Sequence, residues 1–313
     1  MQAVVYHGFG DESVLNVEEV DKPKSPPSKR HIIIKIYYVG VTSADIRLRS
    51  AKFGNDCCCA CLGRCFVGFP FCSRPAKRSQ ILGAIFSGEV IEIGKEVKSE
   101  RFKVGDFVCG STGSLGGYVE YLAVHSKNSP VVLQPKSLSL QESCALWFGG
   151  HTAYSFLKAA KPQEKERILI NGASGEVGVA AVQLAAKYYK LNVTAICSGR
   201  NSELMKSLGA NEVWDYTAKS VKEWCSSLLE SENGEAGGSG SSKFDIVLDC
   251  IGSLEDARGS GFHGQVGTTS EVDAELEERK KSNITLKDIY TVMAPQGRFH
   301  QVGIHTLIKL RTI

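Results

Sequence analysis

The chain has 313 residues, 42% of them hydrophobic and 23% charged, with a formal net charge of +3. Such a length suggests about two domains, and such a composition excludes a mostly disordered chain. The net charge is too small to argue for nucleic acid, no run of about 18 apolar residues predicts a membrane span, and the eleven cysteines do not read as the disulfide framework of a small secreted domain.

Met1 leads directly into QAVVYHGFG, which reads as a first strand. No charged stretch followed by an apolar core precedes it, so no secretory signal is expected. This favours the cytoplasm and leaves an organelle open. Residues 1–125 read as a β-rich domain. β-Branched segments recur at 2–6, 31–39, 81–93 and 117–124, separated by glycine and proline turn signals. Gly105 and Asp106 mark the turn before a strand at 107–109.

Residues 126–165 form a bridge. A helix is expected over 139–160, interrupted by Gly149 and Gly150. Ser139 with Glu142 three residues on makes a capping box, so its start is defined. His151 within it reads either as a packed neutral histidine or as an acid.

The most informative stretch is 167–184, RILINGASGEVGVAAVQL. Ile168, Leu169 and Ile170 form the short apolar run of a buried parallel strand. Gly172, Ala173, Ser174, Gly175 and Gly178 make a tight turn. From Val177 onward Val179, Val182 and Leu184 fit a helix packed on a sheet. A strand feeding a glycine turn that opens a helix aims N–H groups and a positive dipole end at one point, which suits a diphosphate. The spacing departs from GxGxxG, with Ala173 and Ser174 where the first spacing would be.

Further strands are expected at 168–171, 192–197, 212–214, 245–249 and 298–302. They alternate with helices, as in a parallel doubly wound sheet. SENGEAGGSGSS, at 231–242, reads as a surface loop. A second glycine- and serine-rich stretch covers 259–270, a charged helix is expected over 271–281, and 307–313 reads as the start of one more strand. After the second strand of this sheet an NAD-preferring site places Asp or Glu to accept from the ribose 2′-OH. This chain has Ser198, Gly199, Arg200 and Asn201 there, and its first acid is Glu203. Arg200 can pair with a 2′-phosphate and Ser198 can donate to it, so NADPH is the expected cofactor.

The words LINGASGEVGVAAVQLA, FGGHTAY (148–154), CSGRNSELMKSLGANEVWDY (197–216) and FDIVLDCIG (244–252) resemble the medium-chain dehydrogenase/reductase superfamily. The likeness is to its zinc-free quinone-oxidoreductase-like branch, and VGVTSADIRLRS and GEVIEIGKEVKSERFKVGDFVCG resemble that family's GroES-like domain. The resemblance implies an α/β chain with a GroES-like catalytic domain at 1–125. Bridging helices and a Rossmann-like NADP(H)-binding domain follow at 126–313. It implies cofactor contacts from Thr152, Gly172, Ala173, Ser174, Gly175, Glu176, Val177, Gly178, Ser198, Arg200, Tyr216, Cys250, Gly252, Val302 and Gly303. It also implies that a further segment normally follows position 313 to complete the sheet, so a C-terminal truncation is expected.

Zinc alcohol dehydrogenases of the broader superfamily need thiolate, imidazole and carboxylate ligands. At the matching positions this chain has Thr42, Ala84 with Ile85, and Phe148, so no metal is expected. Direct hydride transfer to a quinone, enone or similar activated alkene is then the expected reaction, with a small-molecule substrate as partner. The candidates near the expected cleft are Thr42, Asp45, Tyr118 and His151, of which Thr42, Tyr118 and His151 are the expected catalytic residues. Six cysteines crowd into CCCACLGRCFVGFPFC, at 57–72. No pair of CxxC motifs appears there, and three adjacent thiols do not easily turn onto one ion. Relatives carry an apolar insertion here, so the stretch reads as a hydrophobic lid or peripheral membrane-facing loop. A homodimer is a further expectation. The competing reading is a catalytically weak NADP(H)-binding sensor or interaction protein. It rests on the expected truncation and on Glu176, a carboxylate in the diphosphate loop.

Overall fold

The computed structural model describes residues 1–25, 27–50, 80–113, 115–220, 223–224, 226, 243–251 and 293–301. The cysteine-rich stretch 57–72, Gly252, Val302, Gly303, the loop expected over 231–242, the glycine- and serine-rich stretch 259–270, the helix expected over 271–281 and the strand expected from 307 lie outside them. Two compact units are present, one of them Met1–Trp147 and the other beginning at Phe148.

The first unit contains β1 (Gln2–Tyr6), β2 (Leu15–Glu19), β3 (His31–Gly40), α1 (Ser43–Arg49) and β4 (Gln80–Ile81). Then come β5 (Ile85–Ile93), β6 (Phe107–Ser111), β7 (Tyr121–His125) and β8 (Val131–Leu133). Strands β7-β3-β5-β6-β8 form one antiparallel sheet, and β2-β1-β4 a smaller one. Ile32, Ile34, Phe86, Val90, Phe102, Val108, Val124 and Val131 make the core on the large sheet. The run expected over 81–93 is two strands, because Gly83 between them adopts φ +89°. A Cβ on Gly83 would lie 2.3 Å from Cδ1 of Tyr118, so this ring packs directly on its backbone. The strand expected over 117–124 starts later, at β7. Gly117 and Tyr118 instead donate N–H groups to the carbonyls of Gly83 and Leu82, at 2.8 and 3.0 Å.

A long helix follows, α2 (Leu140–Ala160). Its start is the expected capping box. Glu142 Oε2 accepts from the N–H and hydroxyl of Ser139, each at 2.8 Å, and Glu142 N–H donates back to Ser139 Oγ at 3.2 Å. The expected interruption at Gly149 and Gly150 is absent. Gly149 instead allows a close approach, since a Cβ there would lie 2.5 Å from the Glu176 carbonyl oxygen.

The second unit adds β9 (Arg167–Asn171), α3 (Glu176–Gln183), β10 (Asn192–Cys197), α4 (Ser202–Leu208), β11 (Glu212–Asp215), β12 (Phe244–Asp249) and β13 (Met293–Gln301). The strands form one parallel sheet in the order β11-β10-β9-β12-β13. Chain order runs outward from β9 in one direction and resumes on its other side with β12. The connection therefore reverses beside β9, which is where doubly wound sheets bind ligands. Ile168, Leu169 and Ile170 are fully buried, as expected of a central parallel strand. Burying each such side chain contributes up to roughly 1.5–3 kcal/mol. Val177, Ala181 and Val182 bring the buried face of α3 onto the same core. The helix continues into a π-helical turn, Leu184–Tyr188.

Among the described residues, the non-glycine positions with positive φ are all lysines: Lys161 (φ 50°), Lys165 (φ 68°) and Lys190 (φ 57°). A side chain in the left-handed region costs roughly 1–2 kcal/mol per residue, and glycine is the usual occupant.

Candidate functional site

Two constellations carry the expected site residues, one in each unit. In the second unit β9 ends at Asn171, which is fully buried. Its Nδ2 donates to Oδ1 of Asp249, also fully buried, at 3.0 Å. Asp249 Oδ1 further accepts from the Ile251 N–H at 3.1 Å, and the Cys250 N–H donates to the Asn171 carbonyl at 2.9 Å. These bonds lock together the ends of β9 and β12 at the switch point. Sequence reasoning placed both residues in strands and assigned neither a role. The available signal was a polar residue closing each of two apolar runs, RILIN and FDIVLD.

The glycine turn sits on this platform. Gly172 has φ +71°, and a Cβ there would meet Ile251 Cγ1 at 2.6 Å. A Cβ on Gly178 would lie 2.3 Å from the Gly172 carbonyl and 2.6 Å from Ala173 Cα, so α3 rests directly on the turn. Gly175 caps α3 in extended geometry and has no side chain with which to do so. Its position is exposed, and an added Cβ would touch only the Gly172 carbonyl oxygen, at 3.3 Å. A helix N-terminus without a capping side chain, on a bare glycine, fits an anionic group of diphosphate size. Ala173 and Val177 are buried, so they serve the core with their side chains and can offer a ligand only backbone. Ser174 is half-buried and Glu176 exposed. His151 is exposed on α2, beside half-buried Thr152, so the packed-histidine reading does not hold.

At the end of β10, Ser198 is buried and its Oγ accepts from Asn201 Nδ2 at 3.1 Å. A one-turn 3₁₀ helix, Gly199–Asn201, holds Arg200 exposed. Asp215 stabilises this loop from β11. A Cβ on Gly199 would lie 2.3 Å from Asp215 Oδ2, and Thr217 donates to Oδ1 through its N–H at 2.9 Å and its hydroxyl at 2.6 Å. Burial alone would raise the Asp215 pKa, but bonds from Thr217, Gly199 and Ala218 outweigh it and hold the carboxyl below its ordinary value. Half-buried Tyr216 donates its N–H to the Cys197 carbonyl at 3.2 Å. Burial pushes the thiols of Cys197 and Cys250 up, Cys197 to about 11, with the charges of Asp215 and Asp249 adding to it respectively. Both are thiols at neutral pH and poor nucleophiles.

In the first unit the constellation centres on Asp45, which is 3% exposed on α1. Oδ2 accepts from the N–H and the hydroxyl of Thr42, at 2.9 and 2.8 Å, and Oδ1 accepts from the Gly83 N–H at 3.0 Å. Thr42 is thus the N-cap of α1. Tyr118 lies against Asp45 within an apolar cluster that includes Tyr6 and Leu82. Among the described residues its buried hydroxyl has no hydrogen-bond partner of sound geometry, although it lies close enough to the Asp45 carboxylate to feel its charge. Burial first, and the Asp45 charge second, raise the Tyr118 pKa well above the ordinary phenol range. Of the positions that match zinc ligands, Thr42 is committed to Asp45 and Phe148 is exposed on α2. Among the described residues no three metal-capable side chains converge, and no helix is long and apolar enough to cross a membrane.

A GroES-like sheet unit followed by a parallel sheet with a glycine turn at its switch point defines a two-domain α/β nucleotide-binding chain. Residues 28–136 match the alcohol dehydrogenase GroES-like domain. The chain is 33% identical over 262 residues to the chloroplastic quinone-oxidoreductase QR1 of Triphysaria versicolor, covering 81% of this chain and 69% of that protein. It is 29% identical over 267 residues to the 2-methylene-furan-3-one reductase of Solanum lycopersicum, covering 82% of this chain and 58% of that protein. The Escherichia coli quinone oxidoreductase, solved in complex with NADPH, superposes with a TM-score of 0.63 at 22% identity, covering 80% of this chain and 67% of that one. The chain belongs to the quinone-oxidoreductase-like branch of the medium-chain dehydrogenase/reductase superfamily.

Proposed function

We propose that this chain is a zinc-independent oxidoreductase that uses NADPH to reduce a quinone, an enone or a similar activated alkene. The observation that carries the reading is the glycine turn at the end of β9, with Gly172 at φ +71° and α3 opening on bare Gly175. Relatives described as a quinone oxidoreductase and a furanone reductase support the substrate class, and a structural neighbour solved with NADPH supports the cofactor. In this reading residues 1–125 form the catalytic domain and 126–313 the bridging and nucleotide-binding part.

The backbone of 172–178 would hold the diphosphate, with Thr152 on α2 as a further contact. Arg200 would pair with the 2′-phosphate, with Ser198, Tyr216 and Cys250 as further cofactor contacts. When bound, the reduced nicotinamide supplies the hydride. The protein's own task is to orient the substrate, exclude water and stabilise the oxygen that gains charge. Tyr118 is the candidate donor to that oxygen, its hydroxyl protonated at neutral pH and, among the described residues, without a hydrogen bond of sound geometry. Thr42, which holds Asp45, is the other candidate of the first unit, and exposed His151 is the candidate of the second. A homodimer, a peripheral membrane contact through 57–72, and residence in the cytoplasm or an organelle belong to the same proposal.

Purified protein mixed with NADPH and a panel of quinones and enones tests it by loss of nicotinamide absorbance. Turnover with at least one class is the expected result. Tight NADPH binding with no oxidation by any of them would favour the sensor or interaction reading instead.

A further inference from the structure

One residue of the glycine turn opposes the anion that the turn fits. Glu176 is the only charged residue of 172–178. It is exposed and opens α3, directly after the bare N-cap Gly175. The first N–H groups of a helix have no partner within it, and a carboxylate in the first turn is attracted to them. A diphosphate bound there is attracted to the same groups. The two anions therefore draw on one helix end.

The neighbouring helix fixes where this charge is carried. A Cβ on Gly149 would lie 2.5 Å from the Glu176 carbonyl oxygen and 3.0 Å from its Cγ. The Glu176 stem is thus laid against bare backbone of α2. Half-buried Thr152 is three residues along α2 from Gly149, which puts the two at neighbouring positions of one helix face. Glu176 accordingly brings its charge to the junction of two groups of expected cofactor contacts, 172–178 and Thr152. A hydrogen bond accepted by the carboxylate leaves that charge in place.

We propose that Glu176 is an internal competitor of the cofactor diphosphate, holding down the affinity of this site for every nicotinamide dinucleotide. The proposal rests on the reading of 172–178 as the diphosphate site. In the free chain the carboxylate alone has the helix end. With cofactor bound, two anions share it and repel each other. Arg200 has the opposite sign and acts at the 2′-phosphate, so it separates NADPH from NADH. Glu176 acts on the diphosphate, which both cofactors carry in both redox forms. It therefore lowers affinity without choosing among them, and it favours exchange of spent NADP+ for fresh NADPH over retention. The carboxylate on which the sensor reading rests is then a means of cofactor exchange.

The test is titration of the full chain with NADPH and with NADH, followed by nicotinamide fluorescence, for wild type, Glu176→Gln and Glu176→Asp. Glutamine keeps the volume and removes the charge, whereas aspartate keeps the charge. Glu176→Gln should bind both cofactors about two- to fivefold more tightly at low salt, and added salt should narrow the gap. Glu176→Asp should bind both as wild type does. Adenosine 2′-monophosphate, which lacks the diphosphate, should bind wild type and the glutamine variant alike. The proposal alone is overturned if wild type binds both cofactors and the glutamine variant binds them no more tightly. It is also overturned if aspartate tightens binding as much as glutamine, which would trace the effect to the stem and not to the charge. Tightening of NADPH without NADH would overturn it as well, by placing Glu176 at the 2′-phosphate. A wild-type chain that binds neither cofactor overturns the reading of the turn and the proposal with it.

Discussion

At the end of β9 the polar groups that matter belong to the backbone of one short stretch, 172–178. Around Asp45 they belong to residues drawn from α1, the break after β4 and the approach to β7. The first arrangement tolerates almost no side chain. A Cβ on Gly178 would lie 2.3 Å from a carbonyl oxygen. The second is made of side chains, with one carboxylate accepting three hydrogen bonds. The difference teaches where each is fragile. The glycine turn fails by added volume, and the Asp45 cluster fails by a lost acceptor.

The largest expected effect comes from breaking the turn by volume. Gly178→Val sets methyl groups against the Gly172 carbonyl and the Ala173 backbone, neither of which can swing aside. It should destabilise by about 3 kcal/mol, read as a lower denaturation midpoint with an unchanged slope. Gly175→Ala is the control within the same turn. Its Cβ meets only one oxygen at 3.3 Å in an exposed position, so stability should hold while NADPH affinity falls. Equal destabilisation by the two substitutions would show that volume is not what limits the turn.

Next in size is the loss of the acceptor. Asp45→Ala strands the buried Thr42 and Gly83 N–H groups and the Thr42 hydroxyl, and should cost about 3 kcal/mol or somewhat less. Asp45→Asn keeps an oxygen and should recover part of it. An alanine variant as stable as wild type would mean that water replaces the carboxylate, and that the cluster is looser than its distances imply.

The same contrast explains what the sequence made legible. The parallel sheet and its turn were readable because glycine reports local backbone geometry: the run at 192–197 has the bounds of β10, and the helix begins one residue before Val177. Gly149 misled, since a glycine in a helix can mark a break or a close approach, and only the Glu176 carbonyl across from it decides which. The Asn171–Asp249 pair was not readable as a pair, because its members lie 78 residues apart. Asp45, Gly83 and Tyr118 likewise meet only through tertiary packing, so residue type alone ranked Tyr118 without revealing its stranded hydroxyl.

A smaller effect sharpens the functional half of the comparison. Arg200 stands exposed on a loop that Asp215 braces. Arg200→Ala should therefore leave folding untouched. It should weaken NADPH binding by about 1.5–3 kcal/mol, roughly one to two decades, with NADH binding almost unchanged. Titration of both cofactors against both proteins checks this. Equal losses for the two, or a wild-type preference for NADH, would remove Arg200 from the 2′-phosphate site.

The smallest expected effect is Tyr118→Phe, and its sign distinguishes a catalytic hydroxyl from a packed ring. The ring fills the cluster with Tyr6 and Leu82, and phenylalanine keeps that volume. Among the described residues the buried hydroxyl has no bond of sound geometry, so removing it at neutral pH should leave stability within about 1 kcal/mol, unchanged or raised. In alkali the proteins should separate. An unfolded tyrosine ionises near 10.0, whereas burial and Asp45 raise the folded value. The folded state then holds its proton longer than the unfolded state does. The stability linked to Tyr118 is fully present below pH 10 and is lost as pH rises from there toward the folded pKa. Cys144 and Cys197, both pushed by burial from 9.0 to about 11, begin the same kind of loss a unit lower in both proteins. Denaturant titrations across this range should therefore show a shared decline starting near pH 9, to which Tyr6 and Tyr189 add above pH 10 in both proteins, and a steeper limb above pH 10 in the wild type than in the variant. Identical alkaline limbs would mean that Tyr118 ionises freely in the folded chain. Measured alongside, a fall in kcat with KM and stability held would place the hydroxyl on the reacting oxygen, and unchanged kinetics would leave it a packing residue.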